Sequence, residues 1–168
     1  MKIKVLFIVT SYWAYGELSI AMQFAKRIGE YEPVFLAPLN MQQIIVRSGY
    51  AFFPLYIHQH KVNSVILSSI LNDKDFKLII LSDILNFLYC EKSYGLTMTN
   101  LSGFQGKIGG FDLYLISEIS RKMDTYGFQN KKVSYEDLNI DFTILSSPIL
   151  PIGCGSDSSN SFARRSNP

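Results

Sequence analysis

Apolar positions in the first part of this chain alternate between continuous runs and helical spacing. Residues 3–9 form a run of Val, Ile, Leu and Phe broken only by Lys4, which is typical of a buried strand in a parallel sheet. Within residues 17–28 the apolar positions recur every three or four residues, which predicts an amphipathic helix. A polar loop separates the two segments, and this strand, loop and helix are the opening unit of an α/β fold. The predicted inward face of the helix carries Leu18, Ala21, Met22, Ala25 and Ile28.

The alternation of strand and helix is predicted three more times along the chain. Further strands are expected at residues 32–37, 51–55 and 77–81, each followed by a helical pattern. Parallel strands joined by helices form right-handed crossovers. The sequence therefore predicts an α/β fold, a three-layer Rossmann-like domain with a mostly parallel sheet, over residues 1–152.

Polar residues mark where two of these helices begin. Asn40 and Gln43 have the spacing of a capping box for the second helix. Asp83 directly follows the fourth strand and is placed to cap the next helix. The third helix is expected to turn its apolar stripe towards the core. The stripe consists of Val62, Val65, Ile66 and Ile70.

The pattern becomes less regular after residue 95. Residues 97–101 are interpreted as a short strand, and residues 102–110, which contain four glycines, as a mobile loop. A helix is predicted over 112–123 and a final strand over 142–145. Residues 153–168 are rich in Ser, Asn, Gly and Arg, and this composition predicts a disordered tail.

Composition narrows the class of protein. The 168 residues suit one domain, and 48% hydrophobic with 18% charged residues predicts a folded chain. The net charge of +2, from 16 basic and 14 acidic residues, gives no indication of a nucleic-acid partner. Two cysteines cannot build a disulfide scaffold. Neither a signal peptide nor a run of about 18 apolar residues is evident, so we expect a cytoplasmic protein without a membrane partner.

The loop after the first strand is the strongest candidate for a ligand site. In open parallel sheets ligands bind at the carboxyl ends of the strands. This loop carries the aromatic residues Tyr12, Trp13 and Tyr15. Such rings either stack on a sugar or a flat ligand, or pack over the edge of the sheet, and both interpretations are open.

Three further residues complete the predicted site. Gly16 either lets a ligand approach the backbone or only makes the turn. Glu17 either accepts a proton from a ligand or only complements the helix dipole. Asp83 either lines the crevice or caps the helix, and these two roles are compatible.

Several established binding motifs are missing or incomplete. Neither G-x-G-x-x-G nor G-x-x-x-x-G-K-[ST] is present, so a standard dinucleotide or P-loop site is not expected. His58 and His60 have no neighbouring acid or cysteine to complete a zinc site, and we predict no bound metal.

Four segments, together with the loop at Gly16 and the helix after it, resemble a known family. In their order they resemble the N-terminal half of GT-B glycosyltransferases, the group that includes UDP-glycosyltransferase-like enzymes of bacterial secondary metabolism. The resemblance covers residues 3–95 and is moderately specific, because many Rossmann-like domains share these strand compositions. The segments begin at Lys4 (KVLFIV), Pro33 (PVFLA), Gly49 (GYAFFP) and Leu78 (LIILSD).

The resemblance implies a role for this chain in binding a small-molecule acceptor. In that family a separate C-terminal half binds the nucleotide sugar, and the metal-independent reaction takes place between the halves. Many members have a histidine in the first loop as the catalytic base; this chain has none there, so Glu17 is the candidate.

The resemblance also implies what this chain would lack. It would be a truncated or split form that binds no cofactor and is inactive alone, with the nucleotide sugar as co-substrate once a donor-binding half is supplied. A separate donor-binding domain or self-association would cover its apolar face. The alternative is a non-catalytic small-molecule or nucleotide-binding Rossmann-like module.

Overall fold

The computed structural model describes residues 2–13, 15–112 and 138–145. Strands and helices alternate along the described chain, as the hydrophobic pattern predicts. The elements are β1 (Ile3–Ile8), α1 (Gly16–Ala25), β2 (Tyr31–Pro38), α2 (Gln42–Arg47), β3 (Ala51–Leu55), α3 (His60–Leu71), β4 (Phe76–Leu81), α4 (Ile84–Leu88), α5 (Glu91–Tyr94), β5 (Lys107–Asp112) and β6 (Phe142–Leu145).

The six strands form one sheet in the order β3-β2-β1-β4-β5-β6, and every neighbouring pair is parallel. The fold class is therefore confirmed as α/β and Rossmann-like. The chain runs outward from β1 to β3 on one side and from β4 to β6 on the other. The strand order reverses between β1 and β4, and this is where open parallel sheets have their ligand crevice.

The sheet is covered by apolar side chains on both faces. Val5 and Phe7 of β1 pack with Leu18 and Ala21 of α1 on one face. Leu6, like Ile8, belongs to the other cluster, which includes residues of α3 and α4. Because successive side chains of a strand point to opposite faces, the continuous apolar run of β1 fills both layers. Burying a side chain such as Phe7 contributes about 1.5 to 3 kcal/mol.

Helix α1 is shorter than predicted. It ends at Ala25, and Ile28 lies beyond it as a partly buried residue. The amides of Arg27 and Ile28 bond the carbonyls three residues earlier, which tightens the chain into a turn. The inward face predicted for Leu18, Ala21 and Ala25 is confirmed.

The predicted capping box of the second helix is wrong. Asn40 lies in a 3₁₀ turn before α2, and its side-chain amide donates to the carbonyl of Tyr12 at 3.1 Å. Helix α2 begins at Gln42 with no side-chain cap. The Asn40 side chain therefore bonds to the first loop and does not cap α2.

Only part of the apolar stripe predicted for α3 faces the core, because Ile70 is buried and Ile66 is partly buried against the same cluster. Val62 and Val65 are exposed, whereas Asn63 is fully buried. The Asn63 side chain accepts from the amide of Tyr56 at 2.8 Å and donates to the carbonyls of Tyr56 and Tyr94 at 2.8 and 3.0 Å. These bonds satisfy backbone groups that would otherwise be buried alone, and they fix the rotation of the helix.

Residues 97–101 are not a strand. The segment Met98–Leu101 is a 3₁₀ helix that begins with a capping box between Thr97 and Asn100. The amide of Thr97 donates to the Asn100 side chain at 2.7 Å. This local bonding competes with strand pairing and explains the difference.

The glycine-rich segment is not simply a loop, because its second half forms β5. A Cβ atom at Gly109 would collide with the ring of Phe142, and one at Gly110 would lie 2.5 Å from the side chain of Ile84. The glycines therefore make room for the neighbouring strand and helix. The final strand predicted at 142–145 is confirmed as β6.

Two predictions lie outside the described residues. These are the helix over 112–123, apart from Asp112, which ends β5, and the tail over 153–168. Within the described parts of the chain, no helix combines the length and apolar character needed to cross a membrane.

Candidate functional site

Buried polar residues collect at the carboxyl edge of the sheet, where the strand order reverses between β1 and β4. Thr10 follows β1, Ser82 and Asp83 follow β4, and Asp112 ends β5. Glu17, in the first turn of α1, is buried with them. Polar and acidic side chains are seldom buried without a specific reason, so this edge is the candidate site.

The carboxylate of Glu17 holds the first loop in place. Its Oε2 accepts from the amide of Thr10 at 2.9 Å, and its Oε1 accepts from the amide of Ser11 at 3.0 Å. Oε1 also accepts from the side-chain amide of Asn86 at 2.9 Å. Three donors therefore converge on one side chain that is 6% exposed.

Burial dominates the electrostatics of Glu17. It raises the pKa of this carboxyl from 4.5 to about 7, although the bonds from Thr10, Asn86 and Ser11 favour the charged form. The nearby carboxylate of Asp83 raises the pKa further. A carboxyl with a pKa near neutrality can accept or release a proton under physiological conditions.

Asp83 caps α4, as the sequence predicts. Its Oδ1 accepts from the amide of Asn86 at 3.2 Å. Burial raises the pKa of Asp83 to about 6, and the charge of Asp112 adds to this effect. Asp83 thus acts as a helix cap and also lies at the crevice, the two roles that the sequence left compatible.

A buried layer of polar groups lies close to Glu17 on the α5 side. Burial raises the pKa of the Cys90 thiol to about 12, and the charge of Glu17 raises it further. Burial also raises the pKa of Tyr94, with contributions from Cys90, Glu17 and Tyr12. Among the described residues three buried hydroxyls have no hydrogen-bond partner, and they belong to Thr10, Ser82 and Tyr94.

The aromatic residues of the first loop do not act as one cluster. Tyr12 and Trp13 meet edge to face, with ring centroids 4.6 Å apart. Trp13 is 87% exposed, so packing over the sheet edge does not describe it. Tyr15 instead lines a groove of about 320 Å³ between α1 and α2, together with Leu18 and Ile44.

Gly16 opens α1 in an uncrowded position. No atom lies within 4 Å of the place where a Cβ would stand, and its backbone conformation is not one that requires glycine. Neither packing nor backbone geometry explains this glycine. A role in the approach of a ligand stays a prediction.

The histidines His58 and His60 make no hydrogen bond to Glu17 or Asp83 within the described part of the chain. His60 begins α3, and its Nε2 lies 3.2 Å from the carbonyl of Lys92. His58 adopts a left-handed backbone conformation with φ of 60°. In residues 2–13, 15–112 and 138–145, no group of three or more His, Cys, Asp and Glu side chains is arranged to hold a metal ion.

Sequence reasoning missed three residues of this site. Asn86 lies three residues after the cap Asp83, which is a signal that the two share the first turn of a helix. Asp112 was hidden because its strand is rich in glycine. Tyr94 is the last residue of α5, and only the tertiary structure brings it close enough to Glu17 for the charge of Glu17 to raise its pKa.

The fold and the polar edge at the β1–β4 switch point define a Rossmann-like α/β protein. The model of one protein family matches residues 20–161. The chain belongs to the family described as "Family of unknown function (DUF6365)". No protein of curated function matches the chain.

Proposed function

We propose that this chain is a small-molecule-binding Rossmann-like domain that serves as the acceptor-binding half of a GT-B type glycosyltransferase. The observation that carries the proposal is the buried Glu17 carboxylate, which lies beside the exposed aromatic loop at the strand switch point. An exposed Trp13 supplies a flat apolar surface, and the polar edge supplies hydrogen-bonding groups. This combination suits a small ligand that is both ring-shaped and hydroxylated.

The proposed chemistry is the transfer of a sugar to an acceptor hydroxyl. Glu17 takes the proton, the acceptor oxygen forms a bond to the anomeric carbon, and the nucleotide leaves with the electrons of the broken bond. The pKa of about 7 suits a proton acceptor at neutral pH. Among the described residues, Oε2 accepts a hydrogen bond only from the Thr10 amide, which leaves it a lone pair for the proton. The nucleotide sugar would be held by a separate donor-binding half.

A specific observation favours a second candidate, a non-catalytic ligand-binding module. Both oxygens of Glu17 already accept hydrogen bonds from the protein, as expected for a residue that shapes the loop. In this case the same edge would bind a small molecule without transferring a sugar. The two candidates share the ligand site and differ in whether Glu17 moves a proton.

Ligand binding to the purified chain tests the shared part of the proposal. Thermal unfolding would be followed with phenols, polyols, amines, nucleotides and nucleotide sugars. A ligand at about 100 times its dissociation constant adds about 2.7 kcal/mol to the free energy of unfolding, which gives a measurable shift. Trp13→Ala should abolish the shift, whereas Val65→Ala, which removes an exposed apolar side chain of α3, should retain it.

The outcomes separate the proposed functions. Stabilisation by small hydroxylated ligands that depends on Trp13 supports an acceptor-binding domain. Stabilisation by nucleotides alone overturns it. If a donor-binding half restores sugar transfer, Glu17→Gln should lower kcat by about 10²-fold or more, the usual scale of general-base catalysis. Unchanged transfer by Glu17→Gln would favour another proton acceptor.

A further inference from the structure

The amide groups of the first loop are already occupied by an anion of the protein itself. In sheets of this kind the amides between the first strand and the first helix commonly bind the phosphate of a ligand. Here the amides of Thr10 and Ser11 donate to the two oxygens of Glu17, at 2.9 and 3.0 Å. A ligand phosphate would have to displace this buried carboxylate. The first loop is therefore poorly suited to nucleotides.

The charge at this edge also disfavours anionic ligands. Glu17 and Asp83 are both buried, 6% and 5% exposed. Burial raises the pKa of each carboxyl group, so a second negative charge from a ligand would be unfavourable here. In the described portion of the chain, neither forms an ion pair with a lysine or arginine. The ion pair found there joins Lys4 and Asp73, at the opposite edge of the sheet. Burial raises the free-energy cost of charging both carboxyl groups, and a positively charged ligand at this edge would offset part of that cost.

Unsatisfied hydroxyls give an independent indication of a ligand. The hydroxyls of Thr10, Ser82 and Tyr94 are each more than nine-tenths buried and have no hydrogen-bond partner. The Tyr94 hydroxyl lies within electrostatic range of Glu17 and Tyr12. An unsatisfied buried hydroxyl costs about 1 to 3 kcal/mol, so such groups are normally paired. Thr10 also supplies one of the backbone amides that donate to Glu17, so the residue that carries this hydroxyl lies next to the carboxylate.

We propose that this edge of the sheet binds a ligand through a protonated amino group, which donates hydrogen bonds to Glu17 and Asp83. The hydroxyls of Thr10, Ser82 and Tyr94 accept further hydrogen bonds from the ligand. The exposed ring of Trp13 covers the positive charge, as tryptophan does in cation–π contacts. This inference rests on the proposed small-molecule site and names its ligand class.

The experiment compares three probes that share a phenyl ring and differ in charge. Phenethylamine is cationic, phenethyl alcohol is neutral, and phenyl phosphate is anionic. Trp13 is the single tryptophan of the chain, so its fluorescence reports binding at the site directly. We expect phenethylamine to bind at least about tenfold more tightly than phenethyl alcohol, since hydrogen bonds to charged groups are the stronger ones. Phenyl phosphate should bind more weakly than either.

Two variants and one control locate the charge that the amine recognises. Glu17→Gln should reduce the preference for phenethylamine over phenethyl alcohol by about tenfold, because the variant lacks the charge-assisted hydrogen bond between the ammonium group and the carboxylate. Asp83→Asn, which keeps a side-chain oxygen at the cap, should also reduce the preference and serves if Glu17→Gln fails to fold. Glu30→Gln makes the same chemical change at an exposed residue of the turn before β2 and should leave the preference unchanged.

Each outcome decides between this inference and the proposed function. Equal binding of the amine and the alcohol overturns the amine inference and leaves the small-molecule site intact. Preferential binding of phenyl phosphate overturns both. If no primary amine binds but an uncharged ligand of the thermal screen does, the amine inference alone fails. If no ligand of any class binds, the proposed function fails as well.

Discussion

The side-chain amide of Asn86 donates a 2.9 Å hydrogen bond to the carboxylate of Glu17. Glu17 belongs to α1, which packs on one face of the sheet, and Asn86 belongs to α4, which packs on the other. The bond therefore spans the sheet edge at the point where the strand order reverses between β1 and β4. Because the same carboxylate also binds the amides of Thr10 and Ser11, one buried side chain connects two helices and the first loop.

Stability should depend on pH through Glu17. The pKa of Glu17 is about 7 in the folded chain, whereas its ordinary value, which applies to the unfolded chain, is 4.5. The folded state therefore binds more protons than the unfolded state between these two pH values. The free energy of unfolding should therefore fall as pH rises through this interval, by up to about 3 kcal/mol. Asp83 adds a change of the same sign between 3.8 and about 6.

Denaturant unfolding at a series of pH values measures this dependence. The charge of Asp112 raises the pKa of Asp83. The charge of Glu17 helps to raise the pKa values of Cys90 and Tyr94, so these two groups stay protonated across the interval. Glu17→Gln should remove most of the slope above pH 5, whereas Glu30→Gln should retain it. A slope unchanged in Glu17→Gln would mean that another group titrates.

Two variants of Asp83 should separate the contribution of its hydrogen bond to the helix from the effect of its buried charge on stability. Asp83→Ala loses the bond to the Asn86 amide, and the loss of an N-cap costs about 1 kcal/mol. Asp83→Asn keeps an acceptor and removes a buried charge, so its free energy of unfolding at neutral pH should equal or exceed that of the wild type. The comparison is made by denaturant unfolding. Equal losses in both variants would show that the charge itself is stabilising.

Asn63 should be among the costliest polar residues to replace. Asn63→Ala leaves the amide and carbonyl of Tyr56 and the carbonyl of Tyr94 without their partner. We expect a loss of about 2 to 4 kcal/mol, since each buried unsatisfied group costs about 1 to 3 kcal/mol and partial hydration offsets some of it. Asn72→Ala, at the exposed end of α3, is the control and should change stability little.

Gly109 should reject any side chain while Phe142 is present. Gly109→Ala would place a methyl group against the Phe142 ring, and overpacking of this kind costs about 1 to 3 kcal/mol. Gly103→Ala, which has open space around it, should be nearly neutral. The double variant Gly109→Ala with Phe142→Ala should lose less than the sum of the single losses. Additive losses would argue against the pairing of β5 with β6.

The Tyr94 hydroxyl should contribute nothing to stability in the absence of ligand. Tyr94→Phe removes an unpaired hydroxyl and keeps the ring, so the free energy of unfolding should stay the same or rise by about 1 kcal/mol. Tyr94→Ala removes the buried ring itself and should lose about 3 to 5 kcal/mol. A clear loss of stability in Tyr94→Phe would reveal a hydrogen bond to the hydroxyl.

Local patterns along the chain predicted most of the strands. They failed where contacts with residues distant in sequence decide the structure. Strand β3 was predicted with its observed bounds, because an apolar run flanked by turn residues needs no further information. The inward face predicted for α3 was wrong at Val62 and Val65, because Asn63 is buried by hydrogen bonds to two other segments. Strand β5 was missed because its glycines are typical of a loop. Gly109 is required there because a larger residue would collide with Phe142, which lies 33 positions later along the printed chain.

The sequence by itself determined the α/β class, the succession of the first four strands along the chain and the cap at Asp83, because hydrophobic spacing and capping are properties of neighbouring residues. It also indicated the first loop as the candidate site. Only the tertiary structure decided that Glu17 is buried and bound by three donors. Its partner Asn86 is 69 positions away, and a contact over such a separation leaves no local pattern in the sequence. The raised pKa of Glu17 follows from that burial and is likewise a property of the folded chain.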